Sequence, residues 1–423
     1  MNRKTKTTST KDEARPTLVP KLRFPEFREA EGWESRKVDD IVDTVTPPKK
    51  LPTASYASSG EFPIIDQSQS DISGWTNDNE ALIREGLPLI VFGDHTCILK
   101  LISRPFAQGA DGIKILNSRP KIGTPFLFQL LSHRPVATEE YRRHYSILKE
   151  RIVFFPEFKS GEQQKIVECL SSVDELMAAQ ARKVDALKTH KKGLMQQLFP
   201  REGETVPRLR FPEFRNAGEW EESPLSNFIL SLDAGVSVNA GDRPANKTEF
   251  GVLKTSAVTN GIFAPEENKV VLAESEQSRL KEPVSGGTII ICRKNTPALV
   301  GANVYVESRH ENLFLPDLLW AAKPRAGVSM RFLAFVLGSE KGRAALSKLA
   351  SGSSVSMSNI TKPDVLAFSV MAPSPAEQQR IAECLTTLDA LIAAETQKLE
   401  ALKTHKKGLM QQLFPSPEEA SDL

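Results

Sequence analysis

The feature that most constrains this chain is that much of its sequence is written twice, at two different spacings. Val19-Pro20-Lys21-Leu22-Arg23-Phe24-Pro25-Glu26-Phe27-Arg28 returns 187 residues later as Val206-Pro207-Arg208-Leu209-Arg210-Phe211-Pro212-Glu213-Phe214-Arg215, and Trp33 is matched by Trp220. A second block, Ala186 to Pro200 (ALKTHKKGLMQQLFP), recurs unchanged as Ala401 to Pro415, an offset of 215. Upstream of it, Glu162-Gln163-Gln164 and Cys169 match Glu377-Gln378-Gln379 and Cys384 at the same offset. The difference of 28 residues between the offsets lies in the bodies between the anchors, where little sequence aligns. The chain therefore reads head, body, helix, and then head, body, helix again. Units this long are a tandem domain duplication and not a solenoid, and 423 residues suit two or three domains.

The helices carry the clearest periodicity. From Glu162 to Leu198 there is no proline, and Ile166, Leu170, Val173, Met177, Gln180, Val184, Leu187, Lys191, Leu194 and Leu198 follow one another at steps of four and three. The second copy gives Ile381, Leu385, Leu388, Ile392, Glu395, Leu399, Leu402, Lys406, Leu409 and Leu413, with its polar interruptions at the same two places. This spacing predicts a coiled-coil seam over about five heptads. Ser160 and Ser374 stand ready as caps, and Pro200 and Pro415 follow the ends. At ~1.5 Å per residue each helix is ~55 Å long, more than a domain needs to pack its own core. We expect two spacers paired antiparallel, with a body at either end of the rod; pairing with a second chain is the alternative. Lys191 and Lys406 are expected to snorkel from the seam toward solvent or a carboxylate.

A seam needs only its core positions, yet the identical block also keeps the outward-facing Thr189, His190, Lys192, Gln196 and Gln197, and their copies Thr404, His405, Lys407, Gln411 and Gln412. Recent duplication is one explanation. Because the bodies have diverged, we read both helix ends as presenting one surface to two copies of the same partner.

The apolar runs Leu87 to Phe92 and Thr288 to Cys292, each preceded by a glycine (Gly86, Gly287), read as buried strands. Phe62 to Ile65, Val270 to Leu272 and Val304 to Val306 are strand-like, whereas Pro125 to Ser132 and Met330 to Ala350 are helix-like. The bodies are expected to be mixed α/β. The longest apolar runs fall well short of the ~20 residues that cross a bilayer, and a cytoplasmic protein is expected. Four cysteines lie far apart, six histidines are scattered, and neither a disulfide framework nor a metal site is suggested. A net charge of +2 does not by itself demand a nucleic-acid partner.

The LRFPEF heads, a body closing on Phe155-Pro156 or Ala372-Pro373, the EQQ(K/R)I helix starts and the KKGLMQQLF helix ends, all present twice, resemble the specificity subunit of a type I restriction-modification enzyme. The resemblance covers nearly all of residues 20 to 415. It extends to Phe92-Gly93-Asp94-His95-Thr96 with Ala110-Asp111-Gly112, and to Ser353 through Ile360. It implies an α/β chain of two mixed target-recognition domains separated by two long α-helices in an antiparallel coiled coil. The expected division is a flexible tail at 1–19, recognition domains at 20–158 and 201–373, spacer helices at 159–200 and 374–415, and a tail at 416–423. Each recognition domain would read one half of a bipartite, interrupted DNA sequence, and the spacers would dock two methyltransferase subunits, with restriction subunits joining that core. S-adenosylmethionine, ATP and Mg would serve those partners; no cofactor is expected in this chain. The two bodies look like different recognition-domain types, and the 19-residue tail is outside the pattern.

No GxxxxGK(S/T), HExxH or helix-opening GxGxxG is present, nor an adenine-methyltransferase Asn-Pro-Pro-Tyr, so no catalysis is expected. DNA reading needs polar and cationic side chains on loops. In the first body the candidates are Gln67, Ser68 and Gln69, His95, and Arg142, Arg143, His144 and Lys149, where charge alternates with Tyr141 and Tyr145. In the second they are Lys254, Thr255 and Ser256, then Arg293, Lys294 and Asn295, and finally Ser354, Ser356, Ser358 and Asn359. Arg293 is the strongest, because bidentate contact to guanine is the commonest specific pairing. A turn, a basic helix end or a salt bridge at a strand end would account for these residues without DNA. A non-catalytic coiled-coil scaffold without sequence-specific DNA binding is the alternative function.

Overall fold

The computed structural model describes residues 18–110, 112–137, 144–354 and 357–415, the side chains of 351–354 excepted. The chain divides into two compact units, Met1–Lys183 with Glu395–Leu423, and Val184–Ala394. The long helices, Glu162–Leu198 and Pro375–Leu413, each contribute to both units. Among the described residues no helix is long and apolar enough to cross a membrane.

In the first unit a four-stranded antiparallel sheet runs in the order Val42–Val45, Ile113–Ser118, Leu89–Gly93, Leu99–Ile102. Leu89–Gly93 is buried at every position, which is why its sequence is a continuous apolar run and does not alternate. A second sheet runs Gly74–Thr76, Phe62–Ile65, Phe106–Gln108, Leu82–Ile83, with one parallel pair at its centre. Glu34–Lys37 pairs with Ile152–Phe155 in a two-stranded ribbon that leads into the first long helix.

The second unit repeats this plan strand for strand. Its antiparallel sheet runs Ile229–Ala234, Leu319–Pro324, Thr288–Cys292, Asn303–Val306, and its mixed sheet runs Asn268–Val270, Gly251–Leu253, His310–Phe314, Pro283–Val284. The ribbon pairs Glu221–Pro224 with Ser369–Ala372. The two bodies, which look unrelated in sequence, therefore share one topology. The second adds a small sheet of Lys294–Asn295, Met357–Asn359 and Ser351–Ser354. Gly86 and Gly287 both adopt positive φ, at 72° and 76°, ahead of the equivalent buried strands. The helix expected from Met330 to Ala350 is two helices, Met330–Gly338 and Glu340–Lys348. Ser339 breaks it, because its backbone is extended and its hydroxyl accepts from the Gly342 N–H at 3.0 Å as a cap.

The repeated motifs meet at one place in each unit. Arg23, 9% exposed, donates from Nε and Nη2 to the Glu162 carboxylate at 2.8 and 2.7 Å and from Nη1 and Nη2 to the carbonyls of Ala30 and Glu31 at 2.7 and 2.9 Å. Arg210 does the same to Glu377 at 2.8 and 2.7 Å and to Ala217 and Gly218 at 2.8 and 3.0 Å; the Glu377 carboxylate raises its pKa. The second residue of each EQQ is equally committed: Gln163 donates to the carbonyls of Pro156 and Lys121, and Gln378 to that of Pro373. The head also touches the far end of the other helix, with the Leu22 N–H on the Gln412 carbonyl at 3.0 Å and the Leu209 N–H on that of Gln197 at 2.9 Å. Trp33, Phe126 and Phe414 pack edge to face in the first core, at 5.9 Å between Trp33 and Phe126 and 5.7 Å between Phe126 and Phe414. Trp220, Phe332 and Phe199 take their places in the second, with Trp220 and Phe332 5.7 Å apart.

The helices pair antiparallel. Ile166 and Leu170 share the first core with Met410 and Leu413, and Leu198 shares the second with Ile381 and Leu385. Of the seam, Val173 and Val184 are buried, and Met177, Leu187, Leu194, Leu388, Ile392, Leu399, Leu402 and Leu409 are partly buried. Each polar interruption finds a partner on the other helix. Lys406 reaches Asp174 at 2.7 Å and Lys191 reaches Asp389, the snorkelling expected of them. The Gln180 amide donates to Glu395 Oε2 at 2.7 Å and to its carbonyl at 2.8 Å, while Lys183 and Lys398 close on the same carboxylate at 3.0 and 3.1 Å.

Both kinds of pair have measurable consequences. Removing one partner of a buried, fully hydrogen-bonded ion pair costs on the order of 3–5 kcal/mol, so Arg23→Ala should lower stability to urea by that amount. A double change of Arg23→Met with Glu162→Leu should recover most of it; a loss under about 1 kcal/mol for the single variant would contradict the clamp. The three donors hold the Glu395 carboxyl at about 2, below its usual 4.5. A depressed carboxylate stabilises above its unfolded pKa, and the effect disappears as pH falls through the folded value. The stability difference between the wild type and Glu395→Gln should thus be constant above about pH 5 and shrink between about 4.5 and about 2. A difference independent of pH would mean that Glu395 is not paired in solution.

Candidate nucleic-acid interface

In the first body three separated segments converge. The loop after Phe62–Ile65 is held from inside by Lys100, 6% exposed, whose ammonium donates to the carbonyls of Asp66, at 2.9 Å, and of Ser70. Burial lowers the Lys100 pKa. The Asp66 carboxylate accepts from the Ser68 N–H at 2.9 Å, the Tyr56 hydroxyl at 3.3 Å and the Ser73 hydroxyl. Burial raises the Asp66 pKa, but these bonds together outweigh it and hold the carboxyl below its usual value. The loop is thus a built turn with Gln67 and Ser68 half-buried and Gln69 exposed.

The second segment follows Leu89–Gly93, where Thr96 donates its hydroxyl to the Gln67 carbonyl at 2.9 Å. Gly93 and Gly112 make room for Gln67: a Cβ on Gly112 would lie 2.6 Å from the Gln67 amide nitrogen, and Gly112 has φ +97°. His95 is half-buried beside Thr96. The third segment is tied in through Asp94, which accepts the Tyr145 N–H on its carboxylate at 2.8 Å and the His144 N–H on its carbonyl at 2.9 Å. Here one expectation needs correcting. His144 is 1% exposed, with its Nδ1 3.0 Å from the Asp94 carbonyl, so it belongs to the frame of the site and not to its surface. Lys149 pairs with Asp39 at 2.9 Å and lies 5.9 Å from the Tyr145 ring centre. Arg142 and Arg143 lie outside the described residues.

In the second body the candidates occupy the equivalent positions. Lys254, Thr255 and Ser256 follow Gly251–Leu253, the counterpart of Phe62–Ile65, and Arg293, Lys294 and Asn295 follow Thr288–Cys292, the counterpart of Leu89–Gly93. The third segment is strand-paired to the second, Lys294 opposite Asn359 and Asn295 opposite Ser358, with the Ile360 N–H on the Arg293 carbonyl at 2.9 Å. Ala257 and Val258, just beyond Ser256, share a core cluster with Cys292. Lys254 and Ser256 are both spent on Glu267, at 3.3 and 2.6 Å, and lower its pKa. Lys294 is exposed. Arg293 lies 5.8 Å from the Trp320 ring centre, where Lys362 also reaches at 5.9 Å, and its buried Nε has no hydrogen-bond partner among the described residues. Ser356 and the side chain of Ser354 lie outside the described residues.

The sequence reading misses Lys100, Tyr56 and Asp66, which build the first loop, and Trp320, on which Arg293 rests. Lys100 braces carbonyls 34 and 30 residues away, and no local signal marks such a contact. The outward residues of the identical blocks, Thr189, His190, Lys192, Gln196 and Gln197 with Thr404, His405, Lys407, Gln411 and Gln412, are all exposed, and Lys192 reaches Glu340 at 2.7 Å.

Residues 218–404 match the family described as type I restriction modification DNA specificity domain. The chain is 26% identical over 164 residues to the specificity subunit of the type I restriction enzyme EcoEI from Escherichia coli, covering 38% of this chain and 27% of that one. It is 26% identical over 263 residues to the MjaVIII specificity subunit from Methanocaldococcus jannaschii, covering 60% of this chain and 59% of the other. The matched stretches thus span less than two thirds of either relative. In fold, the S subunit of a type I restriction-modification system from M. genitalium superposes with a TM-score of 0.61 at 16% identity, over 94% of this chain and all of that one. Residues 218–404 are thus similar in sequence to the type I restriction-modification DNA specificity domain, and nearly the whole chain is similar in fold to a type I S subunit.

Proposed function

We propose that this chain selects the DNA sequence on which a type I restriction-modification complex acts, each body reading one half of a bipartite, interrupted site. The observation that carries this reading is the coincidence of candidates at equivalent loops. Residues chosen separately in two bodies of unlike sequence fall after the same two strands and before the same ribbon strand. A shared frame with divergent polar loops is what two readers of different bases require, since base edges are discriminated by side-chain donors and acceptors while the scaffold sets position. In the second body the paired strands Lys294–Asn295 and Met357–Asn359 form a β-ribbon bearing Lys294, Asn295 and Ser358, a shape that a major groove admits.

The helix ends, with their duplicated exposed faces, would dock two copies of a methyltransferase subunit, and restriction subunits would join them. Chemistry requiring S-adenosylmethionine, ATP or Mg belongs to those partners, and the complex acts in the cytoplasm. The chain supplies position and selection.

Exchange of residues 36–158 for an unrelated recognition body should change one half of the sequence selected from a random DNA library by the complex and leave the other half intact. A change in both halves or in neither would defeat the reading of two independent readers. Lys100→Met should act more locally. It keeps the volume but leaves two loop carbonyls unpaired, a stability loss of about 1–3 kcal/mol, and discrimination should fall about tenfold in the half-site read by the first body alone. Equal selectivity in variant and wild type would remove the loop of Gln67 from the reading surface.

A further inference from the structure

We infer that each partner-docking surface is composite, made in each unit from the head of one repeat and the helix end of the other. The inference rests on the docking part of the function proposed above and adds the residues of the heads to it. In the first unit the backbone bond from Leu22 to Gln412 lays the extended head beside Gln411 and Gln412, the last exposed turn of the second helix. In the second unit the bond from Leu209 to Gln197 lays the second head beside Gln196 and Gln197.

Within each head the side chains sort the same way. Pro20 and Arg23 turn inward while Val19 and Leu22 stand out, 52% and 41% exposed. Pro207 is buried and Arg210 nearly so, while Val206 and Leu209 stand out at 42% and 41%. A single exposed leucine needs no explanation. The same apolar pair kept outside twice, each time against a helix end that has not changed by one residue, is a recurrent surface in a chain whose bodies have diverged.

The chemistry of that surface selects its occupant. The identical helix block carries three lysines and a histidine and no carboxylate, beside the Val and Leu of the head. DNA phosphates would answer the cations but gain nothing from exposed Val and Leu, whereas a protein surface with an apolar ridge between carboxylates answers both. We therefore assign the heads to the methyltransferase subunit. The surface is complete only when the two repeats of one chain have folded together, since its two parts come from opposite repeats.

The test uses the full-length chain and its cognate methyltransferase subunit, with the copy number read by light scattering and the affinity by titration calorimetry. The wild type should take two copies. Leu22→Glu and Leu209→Glu should each leave one copy bound at concentrations that saturate the wild type, and the double variant should bind at least about tenfold more weakly at both places. Leu272→Glu, at a position 62% exposed and not repeated, should still take two. Unchanged thermal unfolding of the variants, or the same result with the milder Val19→Ser and Leu22→Ser pair, separates lost docking from lost folding. Two copies of unchanged affinity on the double variant would overturn this inference alone and confine docking to the helices. A wild type that takes no methyltransferase would sink the docking reading and this one with it, as would a chain that self-associates through the heads.

Discussion

The buried guanidinium–carboxylate pair at the start of each long helix is the interaction on which the remainder of each unit hangs. Arg23 and Arg210 each spend their donors on one glutamate and on two carbonyls of the chain just beyond the head. A charge taken that far out of water is tolerated only when its hydrogen bonds are filled, and here four are filled at once. The geometry binds three pieces distant in sequence: the head, the first turn of the helix that follows its own body, and through Leu22 or Leu209 the last turn of the other helix. The Phe–Trp–Phe contacts then seal the same junction with apolar area.

This junction explains which parts of the sequence resisted divergence. Arg, Glu and the first Gln of the helix start have no freedom, and the strand Leu89–Gly93 or Thr288–Cys292 has only the freedom to exchange one buried apolar residue for another. The loops that follow those strands are held differently in the two bodies. A buried lysine braces the first, and a strand-paired ribbon beside a tryptophan braces the second. One frame thus carries two solutions to loop support.

What was legible in the sequence follows from the range of the interactions. The helices were readable because a seam repeats its apolar signal every few residues, and their bounds match the Ser160 cap before Glu162 and the prolines after Leu198 and Leu413. The shared topology of the bodies was not, because strands of two to six residues hold too little pattern to align once the loops differ. Polar seam residues announced themselves as interruptions, but that Gln180 faces Glu395 depends on how two distant helices register. His144 looked like part of a basic surface run, and only its bonds to Asp94, 50 residues away, draw it inside. Lys100 fell in an ordinary strand with nothing to mark the loop it braces.

Phe414, Leu413 and Met410 complete the core of the first unit, although the whole second body is synthesised before them. Chains grow at about 5–20 residues per second, so the first body waits on the order of ten seconds or more for the segment that closes its core. The second unit is one continuous stretch, Val184–Ala394, and depends on no such late arrival. The later half of the chain thus has all of its core residues in hand before the earlier half does. Until then Trp33 and Phe126 lack the Phe414 ring that packs against both of them.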